Sequence, residues 1–387
     1  MNQDLSLQTA SFRKEQWRKI FAIDWVLYLA ALGMTLAGLV TMNSFTGNNS
    51  YFNHQLIWIV VSSLIFFVSS LIDYRFFRRT GVVVIAYSLS ILVLLALFGL
   101  GAINKGAQSW FNFGGVSFQP SDLIKLVLII LLSKYFSRRH IEIANYKHII
   151  VSGFYAFVIF VLVAIQPDFG SALIIFFLWL GMVLLSGISK KHLAIVVILG
   201  TIAFSFLWFS VFHDYQKQRI INFIHPLTDI RGAGYSAYQS MIAVGSGELL
   251  GKGIGYGTQS KLKFLPEYQT DFIFAAFAEE WGLVGVLLLL LLFGILISRI
   301  IINAYRGASN FEILFGVGLV IMFLSHFIVN AGMNIGLLPV TGVTFPFMSY
   351  GGTHLLTSYL GLGMLMGMRR YRKATHTENM KNEFLGL

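Results

Sequence analysis

The sequence contains no cysteine, only six prolines and few charged residues. Without cysteine, disulfides and cysteine-bound metal sites are excluded. Charged residues make up 12% of the 387 residues, whereas hydrophobic residues make up 56%, and the mean hydropathy is +0.74. A soluble domain cannot bury that share of apolar side chains, because its surface must remain polar. The composition therefore indicates a membrane protein.

Apolar runs of roughly membrane length follow one another along the chain. They lie at 22–42, 55–71, 81–100, 120–136, 149–165, 171–187, 193–212, 272–298, 312–330 and 349–367. With the N-terminus placed in the cytoplasm, most of the 28 Lys and Arg residues fall in cytoplasmic loops, which is the asymmetry of the positive-inside rule. The net charge of +11 is therefore mostly topological, and we expect no nucleic-acid partner.

This pattern predicts an all-α integral membrane protein with about ten transmembrane helices. A single membrane domain covers residues 1–387, with a cytoplasmic N-terminal segment at 1–21 and a cytoplasmic tail at 369–387. The longest loop, 213–271, lies on the extracytoplasmic side between helices 7 and 8. A loop of that length in a compact protein is usually functional.

Three outer loops are rich in glycine and polar residues: the long loop, residues 101–121 and residues 330–353. Within the long loop, an amphipathic helix along the outer surface is predicted by the spacing of Tyr238, Met241, Ile242 and Leu249. Glycine and proline often do no more than turn the chain between helices. Because all three loops lie on one side, we expect an extracytoplasmic site there.

Few ionisable residues lie inside the predicted spans. Asp122 and Lys125 are three residues apart on a helix, so they share a face. They form either a structural ion pair or part of a cavity that faces the substrate. Adjacent Glu279 and Glu280 cannot share a face, so we expect one to face the protein interior and the other to bond to a neighbouring helix. His326 is interpreted as a residue of helix packing.

Asp271 differs from these residues because it stands where the long polar loop meets an apolar span. A carboxylate there either caps the first turn of the helix, as we expect for Asp24 at the first span, or acts as a catalytic base. The hydrated loop upstream favours a base, with Lys261, Lys263 and Glu267 close in sequence. A lone aspartate with basic neighbours suits group transfer from a substrate that carries its own leaving group.

Several long motifs follow one another along the chain: GAQSW with FQPSDLIK, QPDFGSAL, GAGYSAYQSMIAVGSGELLGKGIGYGTQSKLKFLPEYQTDFIFAAFAEEWG, and GLLPVTGVTFPFMSYGG. These segments, in this order, resemble the SEDS family of cell-wall proteins. The resemblance covers nearly all of the membrane domain. The segment GTQSKLKFLPE, with Gln218–Ile220 and His225–Pro226, is more similar to the elongation-type members of the family than to the division-type members.

The resemblance implies a ten-helix fold and a peptidoglycan glycosyltransferase that polymerises lipid II outside the bacterial cytoplasmic (inner) membrane during cell elongation. The partners it implies are lipid II, membrane lipid, the elongation machinery and a class B penicillin-binding protein that crosslinks the strands. It also implies that Asp271, in FLPEYQTDF, is the essential aspartate of the family.

The chemistry implied by the resemblance requires a single catalytic base, which agrees with the choice of Asp271. Lipid II carries an α-linked pyrophosphate and the polymer is β-1,4-linked, so the transfer inverts the anomeric centre and needs a carboxylate base but no enzyme nucleophile. The departing pyrophosphate needs cationic stabilisation. The candidate substrate-binding residues are Lys125, Glu267, Lys261, Lys263, Arg219 and Gln259. Supporting structural roles are assigned to Asp122, Glu279, Glu280 and Asp168.

A divalent cation, Mg²⁺ or Mn²⁺, is a further candidate for holding the pyrophosphate, with Asp271 or Glu267 and phosphate oxygens as its ligands. No organic cofactor is expected. The chain departs from many relatives in the expected substrate region at Ser109, Asp122, Lys263, Gln269 and the pair Thr353–His354. These departures concern how the pyrophosphate is held rather than the choice of Asp271 as base.

Three alternatives remain at this point. A lipid II flippase or related transporter would depend on charges at mid-membrane depth more than on a carboxylate at the outer rim. A scaffold for a crosslinking partner would tolerate Asp271→Asn. A division-type paralogue would share the chemistry but serve a different process.

Overall fold

The structure is a computed structural model, and it describes residues 23–44, 50–104, 107–113, 116–137, 146–187, 190–210, 217, 221, 223–224, 232, 234–307 and 309–385. Helices dominate it. They are α1 (Trp25–Asn43), α2 (Ser50–Ser70), α3 (Thr80–Leu100), α4 (Pro120–Ser137), α5 (Tyr146–Ile165), α6 (Phe169–Leu185), α7 (Lys190–Ser210), α8 (Tyr235–Ser246), α9 (Thr258–Lys261), α10 (Ile273–Tyr305), α11 (Asn310–Asn334) and α12 (Gly352–Leu385). A short 3₁₀ helix, Tyr74–Arg78, links α2 to α3.

A helix covers most of each predicted apolar run, and six helices are long and apolar enough to cross a membrane. The outward surface agrees with a lipid environment, since α3 exposes Ile85, Leu89 and Leu92 by 58–69%. The predicted class, a mostly helical membrane protein, is therefore confirmed. The total number of spans and the course of the 213–271 loop stay predictions, because much of that loop lies outside the described residues.

Regular structure extends into all three predicted outer loops. Between α3 and α4 the chain forms a three-stranded antiparallel meander of β1 (Ala102–Asn104), β2 (Ala107–Phe113) and β3 (Val116–Phe118). Strand β2 pairs with β3 in the register Phe111↔Phe118 and Phe113↔Val116. The loop predicted to begin at Asn330 begins instead after Asn334, because α11 continues one turn further. This extra turn places both asparagines on the helix.

The predicted amphipathic helix of the long loop exists as α8, but its extent is shorter than expected. Leu249 was assigned to its apolar face, yet it lies beyond the helix in a turn and is 66% exposed. The side chains that α8 buries most completely are the small residues Ser240 and Ala243. They allow α8 to pack closely against α10 and α11.

Helix α10 is broken at Gly282, which has φ 65° and ψ −168°, a conformation open essentially to glycine alone. The break frees backbone groups that an uninterrupted helix would pair internally. The turn after α8 pairs them instead, because the amides of Lys252 and Gly253 donate to the carbonyls of Glu279 and Glu280, both at 3.0 Å. A broken helix at membrane depth is tolerated where the freed groups are satisfied in this way.

The end of α10 that is far from Asp271 carries a buried ionic cluster, which we call the Asp24 cluster: Asp24, Arg299, Asn303 and Arg369. Asp24 caps α1 by accepting from the Leu27 amide at 3.2 Å, as predicted for the start of the first span. Because α10 has 33 residues and is broken at Gly282, its ends lie at most about 50 Å apart. The sequence predicts this end to be cytoplasmic.

Candidate functional site

Asp271 lies in the turn immediately before α10 and is partly buried. The N-cap position of α10 belongs to Phe272, one residue later, and the Phe272 side chain makes no capping hydrogen bond. Asp271 therefore does not occupy the N-cap position itself, and the choice between a helix cap and a catalytic base stays a prediction.

Hydrogen bonds from two distant segments hold the backbone of this turn in place. The Asp271 carbonyl accepts from the side-chain amides of Asn330 at 2.9 Å and Asn334 at 3.1 Å, both on α11. The Thr270 carbonyl accepts from the Ser349 hydroxyl at 2.6 Å. The Gln269 carbonyl accepts from a backbone amide of the same segment, that of Tyr350, at 2.8 Å. Three consecutive carbonyls are thus fixed, so the position of Asp271 is set in advance of any ligand.

The segment before α12 passes directly beside the Asp271 carboxylate. A Cβ atom added at Gly342, which has φ +75°, would stand 3.6 Å from Asp271 Oδ2. The next residue, Val343, is fixed because its carbonyl accepts from the Asn330 side chain at 2.6 Å. Glycine therefore keeps one side of the carboxylate open while its neighbour holds the segment in place.

Glu267 and Tyr268 form the approach to Asp271. Glu267 adopts φ +49°, and its carbonyl accepts from the amides of Thr270, Asp271 and Phe272 at 3.1–3.2 Å. The FLPE segment, residues 264–267, therefore ends in a tight turn that leads the chain into Asp271. Burial raises the pKa of the Tyr268 phenol, and the neighbouring Tyr51 and Glu267 raise it further. The phenol therefore stays neutral and remains a hydrogen-bond donor near the carboxylates.

Four buried ionisable side chains gather at the junction of α4, α11 and α12, and we call them the Lys125 cluster: Asp122, Lys125, His326 and His354. Lys125 Nζ lies 2.9 Å from Asp122 Oδ1 and 3.3 Å from His326 Nε2. His354 Nδ1 lies 3.6 Å from the same Asp122 oxygen, and the two imidazole rings are 4.7 Å apart. The predicted ion pair therefore exists, within a larger group.

The Lys125 cluster adjoins the frame that holds Asp271. His326 and Asn330 are four residues apart on α11, so about one helical turn, ~5.4 Å, separates them. His326 Nδ1 lies 3.2 Å from the Thr344 carbonyl, two residues beyond Gly342. The same helix and the same segment therefore contact both the cluster and Asp271.

Glu279 and Glu280 both bond to the turn that covers the helix break. Glu279 is fully buried and accepts from Lys252 Nζ at 2.7 Å and from the amides of Thr258 and Gln259. Glu280 accepts from the Ser44 hydroxyl, at the end of α1, and from the Gly255 amide at 3.2 Å. The two residues face different partners, and both hold the loop against α10.

The remaining described candidates of the long loop, Gln259, Lys261 and Lys263, lie in α9 and just after it. Lys261 Nζ donates to the Gly255 carbonyl at 3.2 Å, and Lys263 is exposed with φ +59°. Gln259 donates its backbone amide to Glu279, and its side-chain Oε1 is buried without a partner among the described residues. Arg219 lies outside the described residues.

Asp168 joins two of the motifs. Its carboxylate caps α6 by accepting from the Ser171 amide at 3.1 Å, and its other oxygen accepts from Gln119 Nε2 at 2.8 Å. The QPDFG and FQPSD segments are thereby held together. This geometry is what a supporting residue would show.

The sequence does not predict a place in the site for Lys252, Asn330, Asn334 and Ser349. The two asparagines carry a usable signal, because they are four residues apart and an amide at membrane depth requires a partner. Lys252 and Ser349 carry none, since their partners lie far away in the sequence. For His354 the sequence shows the departure from relatives but not its neighbour Asp122.

The residues offer an incomplete set of metal ligands. Throughout the part of the chain that the structure describes, no group of three or more His, Cys, Asp or Glu side chains stands close enough to hold a metal ion. Asp271 and Glu267 would therefore hold a divalent cation only with additional ligands, such as phosphate oxygens of a substrate.

Comparisons with known proteins agree with the resemblance seen in the motifs. The chain matches the model of the FtsW/RodA/SpoVE family, described as cell cycle protein, over residues 18–374. It is 41% identical over 287 residues to peptidoglycan glycosyltransferase MrdB of Escherichia coli K12, covering 74% of this chain and 77% of MrdB. It is 31% identical over 360 residues to stage V sporulation protein E of Bacillus subtilis, covering 90% of this chain and 98% of that protein.

Solved structures show the same fold. A peptidoglycan synthase complex that coordinates polymerization and crosslinking contains a chain with a TM-score of 0.77 and 28% identity, covering 90% of this chain and 98% of that chain. The rod shape determining protein RodA of Thermus thermophilus gives a TM-score of 0.68 at 27% identity, covering 90% of this chain and 97% of that chain. This chain therefore belongs to the FtsW/RodA/SpoVE family of cell cycle proteins, the SEDS family that its motifs resemble.

Proposed function

We propose that this protein is a peptidoglycan glycosyltransferase that polymerises lipid II into β-1,4-linked glycan strands, with Asp271 as the general base. The observation that carries the proposal is the frame around Asp271. A partly buried carboxylate stands beside an open glycine, and its own backbone carbonyl and the two before it are fixed by hydrogen bonds from α11 and from Ser349 and Tyr350. A relative named as a peptidoglycan glycosyltransferase supports the same class of chemistry at Asp271.

The proposed step is a single displacement at the anomeric carbon of the donor. The acceptor hydroxyl oxygen attacks that carbon while Asp271 takes the hydroxyl proton. The bond between the anomeric carbon and the pyrophosphate oxygen breaks, and its electron pair leaves on the undecaprenyl pyrophosphate. The configuration inverts, so no covalent enzyme intermediate is needed.

The leaving pyrophosphate is stabilised by cationic groups rather than by a general acid. Lys125 is the buried candidate among the described residues, whereas Lys261 and Lys263 sit on the exposed part of the loop. Glu267 and Gln259 are proposed to contact the substrate along the approach. Mg²⁺ or Mn²⁺ held by Asp271 and Glu267 together with pyrophosphate oxygens would add positive charge at the same place.

The cellular setting is proposed from the relatives and from the charge pattern. The protein would lie in the bacterial cytoplasmic membrane with both termini in the cytoplasm, so that Asp271 faces outward. RodA is named a rod shape determining protein, which supports a role in cell elongation over division. The solved synthase complex supports a crosslinking partner, a class B penicillin-binding protein within the elongation machinery.

The test is polymerisation of labelled lipid II by purified protein with its transpeptidase partner. We expect wild-type protein to produce glycan strands, and Asp271→Asn and Asp271→Ala to lower the rate at least ~10²–10⁴-fold, the usual contribution of a general base. The thermal unfolding midpoint of each variant is compared with that of wild type to check that the variant is folded.

Two results would contradict the proposal. Polymerisation by Asp271→Asn at the wild-type rate would remove Asp271 as the base. Translocation of lipid II across vesicle membranes without any polymer would favour the flippase.

A further inference from the structure

The Lys125 cluster holds two hydrogen-bonding positions that the protein leaves unused. The Lys125 ammonium has three N–H donors, and its partners among the described residues are two, Asp122 Oδ1 and His326 Nε2. Nε2 of His354 is buried and has no hydrogen-bond partner among the same residues. Buried polar groups are nearly always paired, so two unused ones on adjoining side chains call for an explanation.

The contacts of His326 explain how Lys125 is oriented. The Thr344 carbonyl can only accept, so Nδ1 of His326 carries the hydrogen and donates to it across 3.2 Å. Nε2 of His326 is then a lone-pair acceptor for the Lys125 ammonium at 3.3 Å. With Asp122 accepting a second N–H at 2.9 Å, the direction of the third is fixed.

His354 is held in a similar manner from the other side. Its side chain is 8% exposed, its Nδ1 lies 3.6 Å from Asp122 Oδ1, and its ring faces that of His326 at 4.7 Å. An imidazolium would donate Nδ1–H to Asp122 and present Nε2–H to a ligand. Lys125 and His354 approach the same oxygen, Asp122 Oδ1, at 2.9 and 3.6 Å, so their two remaining donors belong to neighbouring side chains.

The charges define the chemistry of the ligand. Asp122 and Lys125 cancel, and His326 is neutral in the tautomer that its contacts require. Two N–H donors with no acceptor left over suit an anion that offers several oxygens, and phosphate is the oxygen-rich anion of this reaction.

We infer that Lys125 and His354 together bind a phosphate of the donor's pyrophosphate, and that Asp122 and His326 position them. This inference rests on the proposed function. Its geometry suits an inverting displacement, in which the base and the leaving group lie on opposite faces of the anomeric carbon. With reacting atoms roughly 3–3.5 Å apart, the phosphate belongs several ångströms from Asp271, and α11 carries both His326, which contacts Lys125, and Asn330, which contacts the Asp271 carbonyl.

Two amide substitutions at His354 separate the roles of its nitrogens. The amide of Asn can reproduce the contact of Nδ1 with Asp122, whereas the longer Gln can reproduce the position of Nε2. We expect His354→Ala and His354→Asn to raise the KM for lipid II roughly tenfold to hundredfold, the range for a hydrogen bond to a charged group. His354→Gln should raise the KM less than His354→Asn does, because only Gln keeps a donor at the position of Nε2. His148→Gln is the matched control, because His148 is another buried histidine, bonded to Tyr135 on α4 at 3.0 Å.

Affinity is measured separately from turnover, with fluorescent lipid II and the Asp271→Asn protein in nanodiscs. Adding His354→Ala should raise the Kd for lipid II at least tenfold. A reversed order, in which Asn restores the KM and Gln does not, would overturn the phosphate site and leave His354 as a support for Asp122. Wild-type KM in all three variants would overturn it equally. If His354→Ala does not fold, the comparison of Asn with Gln decides alone.

The two levels of the account fail differently. Wild-type protein that binds lipid II but makes no polymer overturns the proposed function, while the affinities of the His354 variants still decide the phosphate site. Polymerisation by wild type with unchanged affinity in His354→Ala overturns the phosphate site alone.

Discussion

The Asp24 cluster and the Lys125 cluster both bury charge among helices, but among the described residues only the second contains a buried side-chain atom without a hydrogen-bond partner. Asp24 Oδ1 accepts from the Leu27 amide, and Oδ2 accepts from Arg299 at 2.6 Å and Asn303 at 2.7 Å. Within the Asp24 cluster no buried side-chain nitrogen or oxygen lacks a partner among the described residues. The Lys125 cluster, in contrast, leaves Nε2 of His354 and one donor of Lys125 unused.

This difference separates charge that serves the fold from charge that serves a ligand. A complete cluster ties α1, α10 and α12 together at the end predicted to be cytoplasmic. The Lys125 cluster adjoins the preorganised turn that carries the Asp271 carboxylate, and we infer that its remaining donors bind oxygens of a ligand. Substitutions at the Asp24 end should therefore change stability, and substitutions at the Asp271 end should change activity.

The largest stability effect is expected from Asp24→Ala. Removing the carboxylate leaves Arg299 and Arg369 without their shared partner. Because these arginines are 28% and 20% exposed, the cost should lie at the lower end of the range for a buried ion pair, about 3 kcal/mol. Activity per folded molecule should stay near wild type. Thermal unfolding in detergent measures the first quantity, and lipid II polymerisation normalised to folded protein measures the second. A stable variant without activity would reverse the assignment of this cluster.

Asn334→Ala is expected to have a medium effect on both the stability and the polymerisation activity of the protein. Asn334 is fully buried, donates to the Asp271 carbonyl and accepts from the Ala275 amide at 3.2 Å. Leaving those groups unpaired costs about 1–3 kcal/mol, and the loosened turn should lower polymerisation roughly tenfold to hundredfold.

Asn303→Ala is the control for that variant at the opposite end. Asn303 is equally buried and donates to Asp24. It should lose comparable stability but keep its activity per folded molecule. Equal activity losses in the two asparagine variants would contradict the claim that the hydrogen bond from Asn334 to the Asp271 carbonyl positions the turn for catalysis.

Much of the helical framework was predictable from hydrophobicity alone. The run 81–100 became α3, Thr80–Leu100, and the run 120–136 became α4, Pro120–Ser137, because lipid demands apolar segments of fixed length. The position of Asp271 at the start of a span was also predictable, since it stands where the polar loop meets the apolar run.

Other features depend on contacts that no local pattern shows. The meander at 102–118 was hidden by glycines typical of loops. The break at Gly282 gives no signal because glycine is common in membrane helices, and the groups that satisfy the break come from residues 248–253. The place of His354 beside Asp122 joins α12 to α4 and could be found only in three dimensions.

The smallest effect is expected from Gly342→Ala. The residue has φ +75°, so any side chain costs about 1–2 kcal/mol. The new methyl group would also stand 3.6 Å from Asp271 Oδ2, where it narrows the space for the acceptor hydroxyl, and we expect a loss of activity of a few-fold.

Gly187→Ala provides the matched control. Gly187 has φ +92°, and a Cβ there would meet nothing within 4 Å. The two variants should therefore lose similar stability, while Gly342→Ala alone should lose polymerisation rate. The same rate in both would show that the space beside Asp271 is not used by the acceptor.

The most direct test makes the same change, aspartate to asparagine, at the two ends of the molecule. Asp271→Asn and Asp24→Asn are purified side by side, and lipid II polymerisation per folded molecule is measured for each. We predict that Asp271→Asn abolishes polymer while its unfolding midpoint stays near wild type, and that Asp24→Asn unfolds at a lower temperature while its polymerisation per folded molecule persists. Polymer from Asp271→Asn at the wild-type rate would contradict the account.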